Sequence, residues 1–238
     1  MDFEHTLEGI RRLRNEFGSE FHMHMYTSIA FRQEWAIRLK EAGLDEIRFH
    51  LLDFELEPYL SVLRAASDVG LFTGVEVPCP PDMESEMFQL LEDLREMGIH
   101  FLNLNELEIT LGNQDNMEVR GFNLSEGITA GAAGSSELAV RLKNRVRAAE
   151  SSFPDPEDGE VRESYGYHLK YCTAVFKDAG QLRRRFLRRG EATISPHETL
   201  TDDGTLLFGA IYCNNEEVSD FIDEIIEECE IPQTFLHF

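Results

Sequence analysis

Residues 46–51 read Glu46-Ile47-Arg48-Phe49-His50-Leu51, with an apolar residue at every second position and a charged or imidazole residue between. In an extended strand, residues two apart share a face, so Ile47, Phe49 and Leu51 lie on one side and Arg48 and His50 on the other. Three more stretches repeat the pattern. Glu20 to Thr27 sets Phe21, Met23 and Met25 against His22, His24 and Tyr26. Phe72 to Pro78 sets Val75 and Val77 against Glu76 and Pro78. His100 to Leu107 sets Leu102 and Leu104 against Asn103 and Asn105, with Glu106 just beyond.

Between these stretches the apolar spacing changes to the helical period. Phe3, Leu7, Ile10, Leu13 and Phe17 share one face of a helix stopped by Gly18. Helices are predicted from Phe31 to Ala42, Pro58 to Val69 and Met83 to Met97, each followed by a glycine. Helix and strand recurring at roughly 25 to 29 residues indicate stacked βαβ units and a parallel sheet or barrel. Glu118 to Asn123 is a candidate fifth strand, and Gly-rich Gly127 to Gly134 leads into a helix from Ser135 to Glu150. We therefore expect a partial parallel (β/α) barrel over 1–149, an acidic linker or loop over 150–163, and a small α+β appendage over 164–238. The appendage comprises a strand at Tyr165 to Cys172, a basic helix at Phe176 to Arg189 and a hairpin within Thr193 to Cys213. The hairpin turns at Asp202-Asp203-Gly204, and a last helix runs from Asn214 or Asn215 to about Glu228.

Composition bounds the function. The 238 residues are 42% hydrophobic, enough for a packed core, and carry Asp+Glu 45 against Lys+Arg 22, a formal charge of −23. The excess acid runs along the whole chain, and the basic residues are mostly arginine. This is the pattern of a salt-adapted cytoplasm rather than of an acidic partner-binding tail. Such a surface repels nucleic acid except at a local basic patch, Arg183 to Arg189, whose counterpart is an anionic substrate or RNA backbone, or else the protein's own carboxylates. No apolar run is long enough to cross a bilayer. Cys79, Cys172, Cys213 and Cys229 show no metal-ligand spacing and read as scattered thiols.

Helices cover one face of such a sheet, so the apolar residues face the helices. His22, His24, Tyr26, Arg48, His50, Glu76, Asn103 and Asn105 then converge on the other face, at the strand ends where α/β proteins place their sites. The series His22 to Thr27, Asp45 to His50, Gly74 to Pro78 and Phe101 to Glu108 resembles the later strands of an archaeal radical SAM group related to pyruvate formate-lyase activating enzymes. Tyr171-Cys172, Phe176-Lys177-Asp178, Gln181-Leu182-Arg183 and Pro196-His197-Glu198 resemble its C-terminal part. The resemblance implies a partial barrel holding S-adenosylmethionine on a 4Fe–4S cluster, with reductive cleavage to a 5′-deoxyadenosyl radical that acts on an unknown substrate. It places Tyr26, Thr27, Arg48, His50, Glu76, Asn103, Asn105 and Glu106 near the cofactor. His22, His24, Cys172, Lys177 and Arg183 fall on the substrate side. The family's C-x3-C-x2-C loop and Gly-Gly-Glu motif do not occur in this sequence, so no metal ligand is assigned, and the expectation is a chain lacking the N-terminal cluster-binding part.

Two other readings fit the residues. His22-x-His24 on a strand suits a metal-dependent hydrolase of the amidohydrolase type, with His50 and Glu76 as further ligands. A sheet without its first strands suits a degenerate, non-catalytic binding module that self-associates through an open edge.

Overall fold

The computed structural model describes residues 2–51, 54–126, 129–150 and 165–209. Two compact units divide the chain, Met1–Ala174 and Val175–Phe238.

The first unit alternates helix and strand as the periodicities predict. Helix α1 (Phe3–Phe17) is capped by the Asp2 side chain, which accepts from the His5 N–H, and ends at Gly18. Strand β1 (His24–Thr27), α2 (Gln33–Ala42) and β2 (Glu46–His50) follow. Next come a 3-10 turn leading into α3 (Leu60–Asp68), then β3 (Phe72–Cys79), α4 (Glu84–Arg95) and β4 (Phe101–Glu106). The unit closes with α5 (Gln114–Val119), α6 (Ser135–Glu150) and β5 (His168–Cys172). All five strands are parallel, in the order β1-β2-β3-β4-β5. A strand order that follows chain order without reversal belongs to a barrel segment rather than to a doubly wound sheet.

The core lies between one face of this sheet and the helices. Ile47, Phe49, Val75, Val77, Leu102 and Leu104 are fully buried there against Leu7, Leu39, Leu63, Leu91 and Leu138. Each such side chain is worth about 1.5–3 kcal/mol on burial, which fixes every strand's facing.

Three local expectations are corrected. Strand β1 starts at His24, not Glu20, because the Met23 carbonyl accepts from the Asp45 and Glu46 N–H groups and the Met23 N–H is taken by the Asp45 carboxylate at 2.7 Å. Residues Glu118 to Asn123 form no strand: Gln114–Val119 is helical, and Asn113 nucleates the turn by accepting from the Thr110 N–H at 2.7 Å. The strand expected in the appendage is instead β5, which pairs with β4 in the main sheet. Residues 151–163 of the expected linker, Cys213, Cys229 and the last predicted helix lie outside the described residues.

Asp45 is a hinge pin of this unit. Its carboxylate also accepts from Arg14 at 2.6 Å, and Arg14 in turn donates to the Gly18 and Phe21 carbonyls. Burial pushes the Asp45 carboxyl up, but the Met23 N–H and the Arg14 guanidinium outweigh it and hold it below the ordinary carboxylate range. A lowered folded-state value gives stability that is complete above the unfolded carboxylate range and is lost as pH falls through the folded value. Asp45→Asn is therefore expected to lower stability at neutral pH and to flatten the acid limb of stability against pH. An acid limb of unchanged slope in urea titrations would contradict this assignment.

In the second unit, the described residues form a helical stretch, Phe176–Leu182 wound as a π-helix, that continues into α7 (Arg183–Thr193). Strands β6 (Thr199–Leu200) and β7 (Leu206–Leu207) then form the expected antiparallel hairpin. Gly204, at φ 87°, closes its turn, its N–H donating to the Thr201 carbonyl at 3.0 Å. Among the described residues no helix is long and apolar enough to cross a membrane.

Candidate functional site

The sheet face opposite the helices carries the polar residues in rows set by strand register. Tyr26, Arg48, Gly74 and Phe101 are in register across β1 to β4. In the next row His50, Glu76, Asn103 and Lys170 are in register across β2 to β5, and Pro78, Asn105 and Cys172 make the row beyond. These rows sit at the carboxyl ends of the strands, where a parallel sheet opens to ligand.

Arg48 organises the site. Its Nη1 donates to the Tyr26 hydroxyl at 2.6 Å and lies 3.8 Å from Glu76 Oε2, and its Nε donates to Glu46 Oε1. The guanidinium rests over the Phe101 ring, 5.5 Å from its centroid. Burial alone would lower the arginine's pKa, but the Glu46 carboxylate, with Tyr26 and Glu76, holds it above the ordinary value. Tyr26 is pushed up by burial and by the Glu76 charge. Phe101 can lie flat beneath Arg48 only because residue 74 is glycine: a Cβ there would stand 2.2 Å from the ring.

Glu76 is the second centre. Its carboxylate accepts from Asn103 Nδ2 at 3.2 Å and Asn105 Nδ2 at 2.9 Å. The Asn103 side chain is thereby oriented, yet its Oδ1 is buried with no hydrogen-bond partner among the described residues, in a residue only 5% exposed. An orphaned buried carbonyl is rare and costly, and one beside an ionic cluster marks a place where a donor from a ligand belongs.

The structure thus brings Tyr26, Arg48, Glu76, Asn103 and Asn105 into one bonded network and puts His50 in register with Glu76. Two other expected residues touch the edge of this network. His22 precedes β1, is exposed, and pairs through Nε2 with Glu46 Oε2 at 3.0 Å, while His24 stacks edge-on against Tyr26 at 5.4 Å. Thr27 is on the helix-facing parity, and its hydroxyl both donates to and accepts from Ile29 at 3.1 Å. Glu106 also has that parity. Its Oε2 accepts from the Ala174 N–H at 2.7 Å, and its Oε1 lies so near Gly131 that a Cβ there would meet it at 2.4 Å. Cys172 is in register with Asn105, half-buried. Lys177 and Arg183 belong to the second unit.

Glu46, buried and bonded to both Arg48 and His22, was missing from the sequence-derived set. The signal was present, because residue 46 shares parity with Arg48 and His50. Among the described residues no three His, Cys, Asp or Glu side chains come together as a metal-binding group. Cys79 faces the helices and Cys172 the polar rows, so the residues described do not fit an iron–sulfur cluster. The cluster of Arg48, Glu76 and the orphan Asn103 carbonyl does fit the hydroxyl, amine and carboxylate groups of S-adenosylmethionine.

No protein-family model matches the chain. A curated protein of Methanocaldococcus jannaschii, named "Putative glycyl-radical enzyme activating enzyme", is 33% identical to it over 236 residues. The match takes in 95% of this chain and 58% of that protein, so the chain spans a little over half of its relative's length. Along nearly its whole length the chain is thus similar to part of that protein.

Proposed function

We propose that this chain forms a cofactor- and substrate-binding face of a radical SAM-type activating enzyme, and that its target is a protein. The observation that carries the reading is the buried, unpartnered Asn103 carbonyl, set among Glu76, Asn105 and Arg48 at the carboxyl ends of parallel strands. The relative's name supports a protein target, since it describes activation of another enzyme.

In this reading Asn103 accepts from an amine or hydroxyl of S-adenosylmethionine, Glu76 fixes the Asn103 and Asn105 amides, and the Arg48 guanidinium meets the ligand's anionic group. Bound S-adenosylmethionine would supply the hydrogen-abstracting chemistry of the group. The described residues offer no cluster ligands, so no redox step is assigned to them.

Equilibrium dialysis of the iron-free chain with S-adenosylmethionine tests the proposal. Saturable binding is expected, weakened about tenfold by Asn103→Ala or Glu76→Gln, the worth of one to two buried hydrogen bonds. No binding by the folded chain would overturn it. So would stoichiometric zinc after native purification that is lost in His22→Ala, which would restore the hydrolase reading.

A further inference from the structure

The second unit carries an arginine face that the proposed site does not use. The β6–β7 hairpin packs on one side of α7: a Cβ at Gly190 would meet Leu200 at 2.4 Å, and one at Gly204 would meet Phe186 at 2.6 Å. Arg183 is tied to the same hairpin, its Nε donating to the Asp202 carbonyl at 2.7 Å. At the helical period, Arg184, Arg185, Arg188 and Arg189 then lie on the opposite side, and all four are exposed.

None of the four pairs with a carboxylate among the described residues, in a chain with 45 acidic residues. Arg38, Arg120, Arg141 and Arg145 by contrast each hold a carboxylate within 3.2 Å, and Arg11, Arg32 and Arg64, other described arginines with no such partner, do not form a four-residue stripe. Two rows of like charge one turn apart, 184 with 188 and 185 with 189, repel each other along the helix. Such a face calls for an anion from outside. Phe186 leaves the helix on the hairpin side but is 48% exposed and adjoins the stripe only at its Arg189 edge, and Leu182 is 40% exposed one turn before it.

We propose that this face binds single-stranded nucleic acid. Its arginines would grip successive phosphates and Phe186 would stack on a base. Arginine beside an exposed aromatic is the combination that holds an unpaired strand, since every base has a π-face and every linkage a charge. The rows' spacing of one helical turn, about 5–6 Å between Cβ atoms, suits neighbouring phosphates of an extended strand. The chain's overall negative charge does not forbid this. Carboxylates farther away than about 10 Å are screened at ordinary salt, whereas contact pairs with the stripe persist.

The test uses the full 238-residue chain and a fluorescein-labelled oligo-uridine, read by anisotropy across a salt series. Binding is expected with log K falling against log salt at a slope of about −3, from about 0.7 for each of four phosphates held. Arg184→Gln with Arg188→Gln should halve that slope and weaken binding at least tenfold. Arg11→Gln with Arg12→Gln, on exposed α1 positions, should change neither. Four results would overturn the proposal. The first is no binding at the lowest salt at which the chain stays folded, and the second is a slope unaltered in the α7 variant. The third is equal, arginine-dependent binding of poly-glutamate or phosphatidylserine vesicles, which would assign the face to an acidic protein or a membrane. The fourth is binding only after truncation before Asn214, which would show that the acidic segment 216–230 occupies the face.

Discussion

Arg48→Met is expected to cost about 3 kcal/mol of folding stability, the lower end of what breaking a buried ion pair costs. The guanidinium is 21% exposed and its partner Glu46 only 8%, so water cannot replace what is removed. Without Arg48, Glu46 retains the His22 contact and Glu76 retains its two asparagine amides, and both carboxylates lose the arginine that is closest to them among the described residues. Methionine keeps most of the side chain's packing over Phe101, which isolates the loss of charge. Adding Glu46→Gln should return part of the stability, because the buried uncompensated charge is gone. The double variant is thus expected to be clearly more stable than the sum of the single effects. Urea titrations of the four proteins decide it. A loss under about 1 kcal/mol for Arg48→Met would show the pair behaving as a solvated surface bridge.

Gly74→Ala is the second large effect, at about 2–3 kcal/mol, from forcing a methyl group into filled space. The new Cβ would stand 2.2, 2.3 and 2.5 Å from three carbons of the Phe101 ring, which is itself 2% exposed. The ring cannot lift without displacing Arg48 above it and breaking its stacking on Phe72, whose centroid is 5.1 Å away. If the proposed site binds S-adenosylmethionine, its affinity should fall with stability in this variant, as Arg48 moves. Phe101→Leu in the same chain should relieve the clash and recover part of the loss. If Gly74→Ala melts within a degree or two of the parent, the ring is not pinned and the rigid platform under Arg48 does not exist.

Much of the site was legible because strand parity is local. Arg48 and His50 on one side with Phe49 on the other follow from the chain alone, and burial of Ile47 and Phe49 enforces the choice. The same rule places Thr27 and Glu106 on the helix-facing side, which is why neither joins the polar rows. The family resemblance puts both near the cofactor, whereas their parity turns both side chains to the helix-facing side. Helices α1 and α6 match the predicted limits, having clear apolar periods and a capping residue or glycine at a boundary. Strand β1 was misjudged at its start because the side chain that ends it, Asp45, lies twenty-two residues from Met23 in sequence.

What the amino-acid sequence determined by itself is everything with a short period: four βα units, the inward and outward face of each strand, and the hairpin around Gly204. The tertiary structure alone decided which strand completes the sheet: the sequence offered residues 118–123 for it and put the strand at 165–172 in the appendage, and only pairing along β4 reverses this. It also decided which hydrogen-bonding groups are left over. Donors and acceptors from β2, β3 and β4 must be counted together before Asn103 Oδ1 emerges as the one buried acceptor unmatched among the described residues. Periodicity is a property of neighbours along the chain, whereas satisfaction of a buried polar atom depends on residues that folding brings from elsewhere.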